Sequence, residues 1–287
     1  MRFAVFTVSL PEWSPAEAVR HLAALGYDGI EWRVTDQAPH DGDPGFWWGN
    51  RCTWPLATFE ADATAMRALG ADAGLDVPNL GTYVSCLDAP DVERAMRGAA
   101  AAGAPSIRVQ VPRYDGREPY LPLRDRALGA FESVTASAAR HGVRALVETH
   151  MQTILPSASS AADFCRRYSP DAVGVIHDAG NMVYEGFEHY RMGLEVLGPF
   201  LAHVHLKNAD WAPVQARADG STHWAARFAP LAEGIVDVGA LFDALLAVGY
   251  DGWVSFEDFS TAQPLFERTR DNLAYVRQVL GSRASLT

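Results

Sequence analysis

Eight short runs rich in β-branched and aromatic residues recur along the chain, separated by longer stretches with helical apolar spacing. The runs are RFAVFTV (2–8), DGIEWRV (28–34), VPNLGTYV (77–84) and SIRVQV (106–111). They continue with VRALVETH (143–150), AVGVIHDA (172–179), LAHVHLKN (201–208) and GWVSFEDF (252–259). Between them, stretches such as SPAEAVRHLAALG, DVERAMRGAAAAG and VGALFDALLAVG repeat apolar residues with a period near 3.6, open on Ser, Asp or Pro and close on Gly. Helices alternating with strands predict right-handed βαβ units and a parallel sheet. HLAALGYDGIEW (21–32) and ALLAVGYDGWVSFE (244–257) both run helix, Gly-Tyr-Asp-Gly, strand, glutamate. A repeated αβ unit with eight strands favours an α/β fold of the closed (β/α)8 barrel type, a single domain spanning 1–287, over an open sheet.

Two connections are long. Residues 35–57 carry Trp47, Trp48 and Trp54, and residues 209–236 carry Trp211 and Trp224. Connections of this length in a compact domain are usually functional or disordered, and their aromatic content argues for ordered lids. Each follows a strand, which places it at the C-terminal face where barrel active sites are built.

Composition narrows the class. An apolar content of 48% and a charged content of 21% are ordinary for a globular enzyme. The net charge of −11 argues against a nucleic-acid partner, which calls for a basic face. Cys52, Cys86 and Cys165 form no CxxC pair, so a disulfide framework or zinc ribbon is not expected and a reducing cytoplasm fits. The start, MRFAVFTVSLPEW, is too short in apolar residues for a signal peptide. No 18-residue apolar run is present, so no membrane span is expected.

Candidate chemistry gathers at strand ends. In RALVETHMQ (144–152), Leu146, Glu148 and His150 share one face of a strand. Burying Glu148 there costs several kcal/mol, of order ~3 or more, unless something pairs with it. The sixth strand ends in VIHDAGN, the seventh reads HVHLKN and the eighth ends in SFED. On a closed barrel, Glu148, Asp178, His205 and Glu257 then converge near the axis. Each has a plainer reading: Asp178 opening a turn, His205 as a hydrogen-bonded core histidine, Glu257 as a helix cap or an arginine's partner. Three carboxylates and an imidazole in one space repel unless a cation neutralises them, and this oxygen-rich set suits manganese, magnesium or cobalt better than closed tetrahedral zinc. His203 has the same parity as His205, so spacing alone does not choose between them; His205 lies nearer the mouth.

The motifs GYDGIEW, VETH, HDAGN…EG, HVHLKN and GYDGWVSFED, in this order, resemble the xylose isomerase-like TIM-barrel superfamily, also called the sugar phosphate isomerase/epimerase or AP endonuclease family 2-like group. The resemblance covers essentially the whole chain. It implies one divalent metal ion, Mn2+ first and Mg2+, Co2+ or Zn2+ as alternatives, on Glu148, Asp178, His205 and Glu257. It also favours His205 over His203. The trizinc endonuclease branch needs further histidines, whereas the third and fourth strands read NLGTYVS and RVQVPRY and position 181 is Asn.

The resemblance implies a sugar isomerase or epimerase that removes a proton beside a metal-bound carbonyl through an enediolate, with Glu148 and Glu257 as acid/base groups. The alternative within the fold is a lyase or dehydratase, acting on a 3-keto-glycoside, as a C-glycoside deglycosidase with a small second subunit would, or on an inosose. A non-catalytic barrel is the reading from another class. His150, one layer beyond Glu148, is expected to act as a base or contact a substrate hydroxyl. Arg108, Gln110 and Lys207 have inward parity, and the two cations either orient substrate oxygens or form internal ion pairs, for example with Glu31. Asn181 and Trp211 complete the expected sugar contacts, and Trp47, Trp48 and Trp54 either stack on a sugar ring or pack the lids. No P-loop or GxGxxG follows the first strand, so no nucleotide cofactor is expected. Related barrels often pair through lids and helices, so a homo-oligomer is a standing expectation.

Overall fold

A computed structural model describes residues 1–284. Eight parallel strands form the central barrel: β1 (Arg2–Phe6), β2 (Gly29–Val34), β3 (Leu80–Thr82), β4 (Ser106–Arg108), β5 (Arg144–Glu148), β6 (Val173–Asp178), β7 (Leu201–Leu206) and β8 (Trp253–Phe256). Each pairs with its neighbour in sequence, and β1 pairs with both β2 and β8, which closes the ring. This is the (β/α)8 architecture the strand count predicts. β3 and β4 are shorter than their apolar runs suggest, although backbone bonds from Val109 to Leu146 and from Gln110 to Val84 carry the pairing further toward the C-terminal face.

The intervening helices begin and end on local signals. Pro15–Leu25 starts with a capping box between Ser14 and Glu17, and Gly26 closes it at φ 84°. Asp88 and Asp237 cap Ala89–Ala102 and Val238–Ala247 by accepting from backbone N–H groups three residues on. Among the described residues, no helix is long and apolar enough to cross a membrane.

The barrel axis is filled from below by Phe6, whose ring stacks 5.4 Å from that of His205. A Cβ on Gly81 would stand 2.1 Å from the Phe6 ring, so glycine on β3 is what lets this aromatic occupy the axis.

The two long connections differ in character. In 35–57, Thr53–Trp54 pairs in parallel with β2, and the buried Asn50 amide donates to the carbonyls of Val8 and Phe46, which anchors the segment. Most of 209–236 is an antiparallel hairpin, Asn208–Ala216 with Thr222–Ala229, turning near Gly220 at φ 83°. The two segments meet: Trp47 lies 6.2 Å from Phe228, and Phe228 lies 4.8 Å from Phe259, centroid to centroid. An aromatic roof thus stands over the C-terminal ends of the strands.

Candidate active site

Glu148 closes β5, Asp178 closes β6, His205 sits in β7 and Glu257 follows β8 directly. All four are buried, and one ligand atom from each falls within 4.8 Å of the other three. His205 Nδ1 lies 3.2 Å from Glu148 Oε1, 3.7 Å from Glu257 Oε2 and 3.8 Å from Asp178 Oδ2. The four side chains that the sequence placed at successive strand ends therefore come together.

Asp178 combines two roles that the sequence left as alternatives. Its Oδ1 accepts from the Asn181 N–H at 2.9 Å, opening the short helix Ala179–Tyr184. Its Oδ2 turns into the cluster, where it and Glu257 Oε2 have no hydrogen-bond partner of acceptable geometry. The Lys207 ammonium lies beside both, 2.9 Å from Asp178 Oδ2 and in direct contact with Glu257. It reaches that position past Gly180, where a Cβ would stand 2.1 Å from Lys207 Cγ.

Glu148 is held from both sides. Arg108 donates to Oε2 at 2.7 Å, and the Asn181 amide donates to Oε1 at 3.1 Å. Arg108 is itself fixed by Nε donating to the Thr82 carbonyl at 3.2 Å and by the Tyr83 ring 4.5 Å away. Its ion pair is with Glu148 and not with Glu31, because Arg108 approaches the axis one layer above Glu31.

Charge sets the behaviour of the cluster. Burial pushes the Glu148 carboxyl up, but Arg108, His205 and Lys207 outweigh it and hold it well below the usual carboxylate range. Asp178 is pushed up to about 7, by burial first and then by Glu148 and Glu257, against the pull of Lys207. Burial opposes the charged forms of His205 and Lys207, yet the surrounding carboxylates raise both. With every carboxyl ionised and His205 neutral, as a metal-ligating imidazole is, four carboxylates (Glu31, Glu148, Asp178, Glu257) face two permanent cations (Arg108, Lys207), which leaves two negative charges. A divalent ion fits that balance, and the hard-oxygen donors with one imidazole fit its chemistry.

The cluster forms the floor of a cavity of about 550 Å³. Arg108, Glu148, Asn181, Lys207 and Glu257 face it from below, His150 from the side, and Trp47, Phe228 and Phe259 from above. His150 Nδ1 lies 2.7 Å from the Met151 carbonyl and must donate to it, so the neutral ring keeps a lone pair on Nε2. The enclosing wall lowers the pKa of His150, which favours that neutral form.

The structure does not bring Trp211 to the cavity. Its indole N–H donates to the Val183 carbonyl at 2.9 Å, tying the hairpin to the short helix. Trp48 is 53% exposed and Trp54 packs edge-on to Trp32, so of the expected tryptophans only Trp47 lines the cavity. Phe228, Phe259 and Tyr83 also line the cavity and were missed, since an aromatic in a connection or at the end of an apolar run carries no local mark of facing a site. Glu31, which sequence reasoning treated only as a partner for Arg108 or Lys207, lies 3.2 Å from His205 Nε2 and 2.9 Å from His203 Nε2.

The sequence profile of the xylose isomerase-like TIM barrel family matches residues 19–279. The chain belongs to this family. Its fold resembles that of a 3-keto-D-glucoside 4-epimerase from E. coli, with a TM-score of 0.71 and 17% identity over 97% of this chain and 99% of that one. It also resembles a xylose isomerase-like TIM barrel protein from Mycobacterium smegmatis in complex with magnesium, with a TM-score of 0.71 and 20% identity over 98% and 97% of the two chains. An inosose dehydratase of Geobacillus thermodenitrificans strain NG80-2 is 27% identical over 155 residues, 50% of this chain and 50% of that protein. The matched segment thus spans about half the length of that relative.

Proposed function

We propose that this family member is a divalent-metal-dependent isomerase or epimerase acting on a keto-sugar or a sugar-like ketone. The observation that carries this reading is the meeting of Glu148, Asp178, His205 and Glu257 at the floor of a cavity, with two of the carboxylates facing the space a substrate would fill. Glu148, Asp178, His205 and Glu257 would hold the ion. When bound there, a divalent ion supplies Lewis acidity, which polarises a carbonyl and acidifies the adjacent C–H.

The chain's own groups divide the remaining work. Glu148 and Glu257 extend from non-adjacent strands, so they flank a substrate from two sides; one removes the proton and the other returns it to the opposite face. Arg108 and Asn181 fix the Glu148 carboxylate, and Lys207 compensates Asp178 and Glu257. Trp47, Phe228 and Phe259 exclude water and offer apolar faces on which the C–H side of a sugar ring stacks. Likeness to a 3-keto-D-glucoside epimerase supports the substrate class, and likeness to a magnesium-bound barrel of the same fold supports the ion.

A second reading, a lyase or dehydratase, is favoured by His150. Its Nε2 lone pair faces the cavity beyond Glu148, where it can take the proton from the carbon beside the carbonyl and then hand that proton to the departing hydroxyl or alkoxide. The partial match to an inosose dehydratase points the same way. Turnover of a 3-keto-glucoside, a ketohexose and an inosose in D2O separates the readings. Deuterium on the carbon beside the carbonyl of a rearranged sugar marks an isomerase or epimerase, and loss of water or aglycone marks a lyase. Recovery of all three substrates unchanged and unlabelled, from metal-loaded protein, rejects both.

A further inference from the structure

We propose that Glu31, at the level of the barrel axis beneath the four-residue cluster, is a positioning residue that fixes which nitrogen of His205 faces a bound ion. The proposal rests on the metal-site reading above and extends it to a residue outside the ligand set. Glu31 lies in β2, in the stretch GYDGIEW, and its side chain is fully buried.

Four donor contacts converge on its carboxylate. Asn79 Nδ2 donates to Oε1 at 2.8 Å, His203 Nε2 lies 2.9 Å from Oε2, and His205 Nε2 lies 3.2 Å from each oxygen. Asn79 is in turn set by Ser106, whose hydroxyl donates to its Oδ1 at 2.7 Å, so the amide cannot flip. His203 Nε2 also lies 2.9 Å from Ser255 Oγ. Glu31 therefore has both oxygens engaged by Asn79, His203 and His205. It is a fixed acceptor under the His205 ring.

Imidazole geometry turns that fixed acceptor into a choice of tautomer. A carboxylate only accepts, so the His205 nitrogen facing it must carry hydrogen. Nε2 faces Glu31 at 3.2 Å and Nδ1 faces Glu148 at 3.2 Å, so both carry hydrogen without an ion; an ion held by Glu148, Asp178 and Glu257 would take the place of the hydrogen on Nδ1, while Glu31 retains the one on Nε2. Without Glu31 the neutral ring is free to hold its hydrogen on Nδ1, where it would point into the ion's position. Partners of this kind typically change metal affinity by about 10–100-fold when removed. Glu31, His203 and His205 also satisfy the distance requirements for a second ion. In this structure those groups are paired within the protein instead, Glu31 with Asn79 and His203 with Ser255.

The test is Glu31→Gln, with Mn2+ affinity read from the EPR signal of free aquo-manganese. An amide offers one acceptor where Glu31 offers two, while donors converge on both positions. The expected result is a folded variant, by far-UV circular dichroism and a cooperative melt, whose Mn2+ dissociation constant rises about 10–100-fold. A purely structural role would lower the melting temperature and leave that constant unchanged. A folded variant within twofold of the unaltered protein therefore overturns the proposal, as does binding of two ions per chain by the unaltered protein. If the variant does not fold, 15N spectra of histidine-labelled, Mg2+-loaded protein decide the matter: hydrogen on Nε2 of His205 supports the proposal, and hydrogen on Nδ1 overturns it. Failure of the unaltered protein to bind Mn2+ at all sinks the metal-site reading itself, a result distinct from loss of the Glu31 effect alone.

Discussion

Glu148→Gln tests the site at the point where charge, packing and chemistry coincide. Glu148 faces Arg108 across a buried ion pair of 2.7 Å whose side chains are 5% and 6% exposed. Breaking such a pair on one side costs about 3–5 kcal/mol, because the partner stays buried without a countercharge. An introduced amide keeps its oxygen toward Arg108 and so retains one hydrogen bond, worth about 1 kcal/mol. Its NH2 then meets the Asn181 amide, which can rotate to present Oδ1, an atom without a partner in the native arrangement. The net cost is about 2–4 kcal/mol, which at roughly 2–4 °C per kcal/mol lowers the melting temperature by about 5–15 °C. Turnover should fall by about 10²–10⁴-fold, the usual range for removing an acid/base group. Differential scanning calorimetry reads the first quantity, and initial-rate assays with a 3-keto-glucoside and a ketohexose read the second. Turnover close to that of the unaltered protein would refute the assignment of Glu148 as acid or base. An unchanged melting temperature would refute the ion-pair reasoning.

Other outcomes follow from the same geometry. Lys207→Met removes the cation beside Asp178 and Glu257, so the metal-free protein should lose about 3–5 kcal/mol. Saturating Mn2+ should then raise its melting temperature more than it raises that of the unaltered protein, and equal increments would contradict the charge balance. Phe228→Ala should raise KM several-fold while Trp211→Ala leaves it nearly unchanged, because only the first ring faces the cavity; the reverse order in steady-state kinetics would contradict the placement of the roof. His177 is fully buried with neither ring nitrogen partnered, and burial lowers its pKa from 6.5 to about 4. The unfolded chain therefore takes up a proton between these values that the folded chain refuses. This contribution is fully present above about pH 6.5 and is lost as pH falls toward 4, a total of about 3 kcal/mol. His177→Phe should flatten the urea-denaturation stability over that window, and an unchanged pH slope would contradict the assignment.

Much of the site was legible because burying charge leaves a mark in a strand. An apolar run that ends in Glu148, and another that reads HVHLK, cannot be stable unless the polar groups find one another, and closing eight strands into a ring dictates where they meet. The same mark was present in GIEWRV, where Glu31 sits among apolar neighbours, but its partners His203 and His205 are on a strand far away in sequence. The parity of His203 and His205 gave no means to see that one carboxylate engages both. The hairpin Asn208–Ala216 with Thr222–Ala229 was readable only as a long aromatic connection, since beyond Asn208, Ala209 and Ala229 its residues are half-buried or exposed and impose no clear apolar alternation. Trp211 illustrates the limit. A tryptophan near a barrel mouth looks like a sugar platform, and only the position of the Val183 carbonyl reveals that its indole is already engaged.

The most direct test of the central claim is metal stoichiometry measured side by side for the unaltered protein and Asp178→Asn. Each protein is stripped with chelator, reloaded with Mn2+ and analysed by inductively coupled plasma mass spectrometry after desalting. The account predicts one ion per chain for the unaltered protein and a small fraction of that for Asp178→Asn, with both proteins folded. No stoichiometric ion in the first, or an equal ion content in both, would contradict it.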